Sequence, residues 1–81
     1  MIVKVKFAAT VADIRGNMEI TLPDEATLAD LLEYFRTHRP LLADRIKVAY
    51  PISKGRTIMK TEPLSDGQEI VFMSALAGGR V

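Results

Sequence analysis

The sequence of 81 residues contains no cysteine, which excludes a disulfide framework, a thiolate metal site and a thiol nucleophile. It has no tryptophan and a single histidine, His38; no second histidine, and no Ser-His-Asp grouping, supports catalysis. No apolar run approaches the ~20 residues of a membrane helix. The start, Met1-Ile2-Val3-Lys4-Val5-Lys6, alternates apolar and basic residues instead of setting a basic stretch before an apolar block, so it does not read as a secretory signal. A cytoplasmic protein without a membrane partner is expected. An excess of one charge is missing as well. Eleven Lys and Arg stand against ten Asp and Glu, a net charge of +1, and they are scattered along the chain, whereas a nucleic-acid binder concentrates basic residues on one face.

What is present is apolar and evenly spread. With 48 % hydrophobic and 26 % charged residues, the chain holds enough Val, Ile, Leu and Phe for one small core without staples. Its length suits one domain.

The apolar residues are patterned. From Ile2 to Ala9, Val3, Val5, Phe7 and Ala9 alternate with Ile2, Lys4, Lys6 and Ala8, the period of a half-buried strand. Gly16-Asn17 marks a turn. Met18, Ile20 and Leu22 then alternate with Glu19 and Thr21, predicting a second strand that ends at Pro23 and completes a hairpin with a long connection. Thr27 opens the one main helix: Thr27-x-x-Asp30 resembles a capping box, and Asp30 suits the positive end of the helix dipole. Leu28, Leu31, Leu32 and Phe35 form a core stripe at helical spacing. The helix stops near His38-Arg39, because Pro40 forces its predecessor out of the α region.

Leu41, Leu42 and Ile46 predict a collapsed, single-turn segment running into a third strand over Ile46 to Tyr50, with Pro51 and Gly55 as punctuation. Arg56 to Lys60 reads as a short edge strand with Ile58 inward. Pro63-Leu64-Ser65-Asp66-Gly67 carries turn chemistry. The last strand, Glu69 to Ser74, puts Ile70 and Phe72 on one face and is apolar enough for the middle of a sheet. Val71 and Met73 then face the other way, beside Leu76, as candidates for docking a partner. A helix joining an N-terminal hairpin to a parallel last strand gives an α+β fold. It is a mixed sheet of four to five strands packed on one main helix, the β-grasp arrangement.

Lys54-Gly55-Arg56-Thr57 lacks the spaced glycines and long following helix of a phosphate loop, and reads as a plain exposed loop. His38 sits at the predicted helix C-terminus, where a charge-compatible, solvated residue is the ordinary reading. The chain closes on Leu76-Ala77-Gly78-Gly79-Arg80-Val81. Two glycines there, lacking Cβ atoms, make a segment thin enough to thread a narrow active-site channel. The bland alternative is an ordinary frayed terminus.

Three stretches, taken in order, carry a resemblance: Leu22-Pro23-Asp24-Glu25-Ala26-Thr27-Leu28-Ala29-Asp30-Leu31-Leu32, then Pro63-Leu64-Ser65-Asp66-Gly67-Gln68-Glu69-Ile70, then Ala75-Leu76-Ala77-Gly78-Gly79. They resemble the small sulfur-carrier subunit of molybdopterin synthase (the MoaD family), a relative of the thiamine sulfur carrier ThiS and of ubiquitin. The resemblance covers nearly the whole chain and implies a ubiquitin-like β-grasp domain over residues 1–75 with a diglycine tail over 76–81. It implies a carrier, not an enzyme, with no bound cofactor. A ubiquitin-activating-like adenylating enzyme would use ATP to activate the carboxyl of Gly79, Gly78 would give access, and a sulfur donor would convert it to a thiocarboxylate. The molybdopterin synthase large subunit would receive the sulfur, with Val71, Met73, Leu76 and Ala77 as the partner-binding residues.

Two departures from the family pattern stand out. The Tyr50–Thr57 segment looks longer than the usual loop, and Arg80-Val81 follow the second glycine. Some carriers similar to this one have such an extension removed by a metalloprotease, so cleavage between Gly79 and Arg80 is expected. Two alternatives share the fold. One is a ubiquitin-like modifier joined through Gly79 to target lysines, and the other a β-grasp interaction module that makes no use of the tail.

Overall fold

The computed structural model describes residues 1–7, 17–47 and 49–74, with the backbone alone at Ser74. Its elements are β1 (Ile2–Phe7), β2 (Asn17–Thr21), α1 (Leu28–His38), α2 (Pro40–Ile46), β3 (Ala49–Ser53), β4 (Arg56–Thr57) and β5 (Glu69–Ser74). They form one sheet in the order β2-β1-β5-β3-β4. β1 runs antiparallel to β2 and parallel to β5, while β3 is antiparallel to both β5 and β4. This is the mixed sheet and helix of the expected β-grasp fold, with the apolar strand β5 in the centre.

The alternation read from the sequence sorts side chains between the two faces. Val3, Val5, Ile20, Ile70 and Phe72 point to the helices and are buried. Leu28, Leu31 and Phe35 of α1 are buried against them, while Leu32, the fourth member of the predicted stripe, is only half-buried. Three rings centre the core. Phe35 stands edge-on to Phe7 and Phe72 at centroid distances of 6.4 and 6.3 Å, and Phe7 stacks on Phe72 at 5.8 Å.

The start of α1 is satisfied from two directions. Within the helix the capping box is complete: Thr27 Oγ1 accepts from the Asp30 N–H at 3.4 Å, and Asp30 Oδ2 accepts from the Thr27 N–H at 2.8 Å. The next two free donors are taken by a distant loop, since the N–H groups of Leu28 and Ala29 bond the carbonyls of Glu62 and Lys60 at 3.1 and 3.0 Å. Helix ends leave such donors unpaired, so the loop before β5 docks wherever α1 begins. At the other end Arg39, ahead of Pro40, takes φ −138° and ψ 68° and breaks the helix as expected.

The segment from 40 to 53 departs from the sequence reading. Residues 40–46 form a two-turn helix opening on Pro40, which is well suited to a first helical position. Ile46 is its buried last residue, not the start of a strand. The third strand runs over Ala49–Ser53 instead of Ile46–Tyr50, and Pro51 lies inside it. Proline is tolerated there because its carbonyl accepts from the Ile58 N–H at 2.9 Å. That places its missing N–H on the β4 side, away from β5, so the ladder to the central strand loses no bond. The Arg56–Lys60 strand shortens to Arg56–Thr57, and Ile58 is buried as expected. The residues joining β1 to β2, 8–16, lie outside those described, including Ala8 and Ala9 of the predicted first strand.

The turn before β5 ties that strand to both neighbours. Asp66 Oδ1 accepts from the Ile2 N–H, and the Gly67 N–H donates to the Ile2 carbonyl, both at 2.7 Å. Gly67 has φ +81°, the left-handed region where a side chain is strained. On the other flank Gln68 Nε2 donates to Ser53 Oγ, and that buried hydroxyl donates to the Glu69 carbonyl, both at 2.9 Å. The start of β5 is thereby fixed at one end of the sheet, and its last residue, Ser74, pairs with Ala49 at the other.

Candidate functional site: the outer sheet face beside the end of β5

The helices cover one face of the sheet and leave the other open. On that outer face Val71 is half-buried and Met73 is 43 % exposed, as the sequence predicted. β3 brings two further apolar residues beside them. Tyr50 lies opposite Met73 and Ile52 opposite Val71; Tyr50 is 53 % exposed and Ile52 half-buried. Directly opposed residues of antiparallel strands have neighbouring side chains, so the four make one contiguous apolar patch. An aromatic ring carrying a hydroxyl and a flexible thioether are side chains typical of recognition surfaces.

A charged border flanks the patch. Lys6 of β1 lies opposite Val71, and its Nζ meets Glu69 Oε2 at 2.7 Å. The outer residues of β1 and β2 beyond it, Lys4 and Glu19, are polar and exposed. An apolar centre with a polar rim is the ordinary layout of a protein interface.

Of the expected site residues, the structure thus brings Val71 and Met73 together on one face. Leu76, Ala77, Gly78, Gly79 and Arg80 lie outside the described residues. Sequence reasoning missed Ile52 because it ended the third strand at Tyr50, and missed Tyr50 because it did not pair that strand with β5. The signal was present as the alternation Tyr50, Ile52 on either side of the proline.

Two other candidates resolve into structure. Lys54 and Gly55, with φ of 54° and 80°, are the central pair of a two-residue hairpin turn between Ser53 and Arg56. Positive φ at both positions is the turn that matches strand twist, so this is a β-hairpin and not a phosphate cradle. His38 lies against the ring of Tyr34 with centroids 4.5 Å apart, one helical turn apart on the same helix. Among the described residues no three His, Asp or Glu side chains gather as a metal site.

The most perturbed titrating pair also serves the fold. Arg56 Nη1 and Nη2 donate to Glu62 Oε1 and Oε2 at 2.9 and 2.8 Å, and the Met59 N–H adds a bond at 3.2 Å. The guanidinium bonds, and then the Met59 N–H, hold the Glu62 carboxyl down at about 2 against an ordinary 4.5. The pair steadies the loop that caps α1. Because the folded-state value is the lower one, its contribution to stability is present above the ordinary carboxylate range and fades as pH falls from about 4.5 to about 2. Urea midpoints followed from neutral to acid pH are expected to fall through that window in the wild type. The fall should be shallower in Glu62→Gln, which has no carboxyl to protonate.

With this geometry in place, comparison with known proteins is informative. The family model of the ThiS family matches residues 5–79, that is, from within β1 through the second glycine. The chain belongs to the ThiS family. Members of this family are small carrier proteins, not catalysts. No curated protein matches this ThiS-family chain in sequence. Among solved structures it is similar to SAMP1 from Haloferax volcanii, with TM-score 0.77 and 20 % identity over 98 % of this chain and 100 % of that one. It is also similar to a chain in the complex of subunits 1 and 2 of molybdopterin-converting factor from Helicobacter pylori, with TM-score 0.74 and 22 % identity over 98 % and 100 %. A third is the ubiquitin of Caldiarchaeum subterraneum, with TM-score 0.65 and 21 % identity over 98 % of each chain. These likenesses establish the ubiquitin-like β-grasp fold. No helix among the described residues of this ThiS-family protein is long and apolar enough to cross a membrane.

Proposed function

We propose that this protein carries sulfur on the carboxyl of Gly79, after removal of Arg80-Val81, for the biosynthesis of molybdopterin or a related cofactor or metabolite. The observation that carries the reading is where the family match stops. It ends at Gly79, with Arg80 and Val81 following. In this reading residues 1–75 are the rigid body and residues 76–81 the reactive end, supplied by the central strand β5.

The chemistry requires little of the carrier. A carboxylate is a poor acyl donor because its charge is delocalised and oxide is a poor leaving group. In a partner enzyme of the ubiquitin-activating type, a Gly79 carboxylate oxygen attacks the α-phosphorus of ATP and pyrophosphate leaves. A sulfide-level donor then attacks the acyl carbon, a C–S bond forms and AMP departs, leaving a thiocarboxylate. The partner supplies the preorganised charges, and the carrier supplies a reachable carboxyl on a stable platform. Val81 suits the first step poorly, since its branched side chain restricts χ1 and crowds the carbon.

Intact mass spectrometry tests this directly. The full chain and a chain ending at Gly79 are each incubated with ATP, an adenylating enzyme and a sulfur donor. The shorter chain is expected to gain the mass of one oxygen-to-sulfur exchange and the full chain to stay unchanged. Sulfur loading of the full chain at the same rate overturns the requirement for trimming. No loading of either chain overturns the carrier reading.

The apolar patch is where such partners would dock. In the Helicobacter pylori structure the similar subunit 1 is in complex with subunit 2, and a larger subunit of that kind fits an apolar centre with a charged rim. Met73→Asp is expected to weaken that binding by about 1–2 kcal/mol, the loss at one substantial interface position. The melting temperature should hold, because the side chain is already 43 % exposed. Unaltered affinity in titration calorimetry would count against this surface.

A second reading, a protein modifier, is favoured by the likeness to small archaeal modifier protein 1. It uses the same activated glycine but transfers the acyl group to a lysine amine, so it predicts covalent high-mass adducts in cells. A plain interaction module predicts neither adducts nor sulfur, and deletion of residues 78–81 would leave its function intact.

A further inference from the structure

On the helix side of the sheet, away from the apolar patch, an open cleft of about 520 Å³ lies between α1, α2, β3 and the Ile58–Lys60 segment. Its size falls within the range of small-molecule sites, roughly 300–1,000 Å³. Leu32, Ile46, Ile58 and Phe72 are among its walls. Leu32, the half-buried member of the α1 stripe, packs against the core and faces this cleft.

The charged residues lining the cleft are of one predominant sign. Arg36, Lys47 and Lys60 face a single carboxylate, Asp44. Asp44 is taken by Lys47 at 3.4 Å, and Arg36 is held by Glu33 of its own helix at 2.9 Å. Both pairs are exposed and join residues three apart on one helical face, so each contributes little and exchanges readily for another anion. Lys60 has no ion pair with the described residues, while its backbone carbonyl is fixed to the N-terminus of α1. An apolar floor with an excess of cations along its walls complements one kind of ligand.

We propose that this cleft binds a small amphipathic carboxylate, its hydrocarbon body against Leu32, Ile46 and Ile58 and its carboxylate at Lys60. The site is independent of the tail and of the carrier reading, since it uses neither Gly79 nor the outer sheet face. Octanoate is a suitable probe, because it combines a short apolar chain with a single negative charge, and 1-octanol is its uncharged counterpart.

The test is a methyl-resolved NMR titration of the full 81-residue chain. Octanoate is expected to shift the methyl groups of Leu32, Ile46 and Ile58 and to saturate, with an apparent Kd of about 1 mM or tighter. Val71 and Met73 should be unaffected. Lys60→Glu, an exposed change that leaves the backbone bond in place, should weaken octanoate about tenfold, as loss of one charge-assisted contact implies. The same change should leave 1-octanol unaffected. Shifts at Val71 and Met73, absence of saturation, or indifference to Lys60→Glu would each overturn the proposal. So would contacts in the free chain between Leu76 and Leu32, because they would give the cleft to the chain's own end.

Discussion

Gly79→Val in a chain ending at residue 79 should abolish sulfur loading while leaving the fold as it is. The substitution puts a branched side chain on the carbon next to the carboxyl that must meet the α-phosphate. It thereby restricts χ1 and obstructs the approach. Positioning errors of about 1 Å in such transfers cost on the order of 100-fold in rate, and the added methyl groups exceed that displacement. Residues 5–74 of the family match are untouched, so circular dichroism and melting temperature should follow the wild type. The readout is the rate of the oxygen-to-sulfur mass gain under single-turnover conditions. Loading within a few-fold of wild type would show that the glycine is not needed at the reacting end, and the carrier proposal would lose its chemical basis.

Phe35→Ala should do the reverse, weakening the fold while leaving the reacting end untouched. Phe35 is fully buried and touches the rings of both Phe7 and Phe72, so it joins α1 to β1 and to β5 at once. Truncating a buried phenylalanine costs about 3–5 kcal/mol, from lost transfer energy and the cavity left behind. A domain of this length has a total stability of roughly 4–12 kcal/mol. A large part of that stability would therefore be lost, and the melting temperature should drop by on the order of 20 °C. Leu41→Ala is the control. Leu41 is 81 % exposed, so its loss should change stability by no more than about 0.5 kcal/mol. Similar effects at the two positions would mean that the described core is not the one that holds the protein together.

Much of this architecture was legible in the chain because local patterns and tertiary contacts agree. The alternation in Ile2–Phe7 and Glu69–Ser74, the Thr27/Asp30 cap and the stop before Pro40 depend on neighbours in sequence, and each stands in the structure as read. The reading failed where a residue's meaning depended on what lies across from it. Pro51 looked like a strand terminator, yet it sits inside β3 because its missing N–H points away from the central strand β5. Residues 40–46 are too few for a helical period to declare itself, and packing of Leu42 and Ile46 on the core settled them as helix.

The same division holds for the candidate site. By itself the sequence determined the absence of cysteine and of paired histidine, the diglycine at 78 and 79, and the outward phase of Val71 and Met73. Only the tertiary structure decided that Tyr50 and Ile52 join them. Pairing between β3 and β5 is set by strand register across the sheet, and no local period encodes which strand will lie alongside another. It also decided that the carbonyls of Lys60 and Glu62 complete the first turn of α1, a bond pattern between segments some thirty residues apart. Local propensity acts over a few residues, whereas partner strands, loop-made caps and the cleft beside Lys60 arise only when distant segments are brought together.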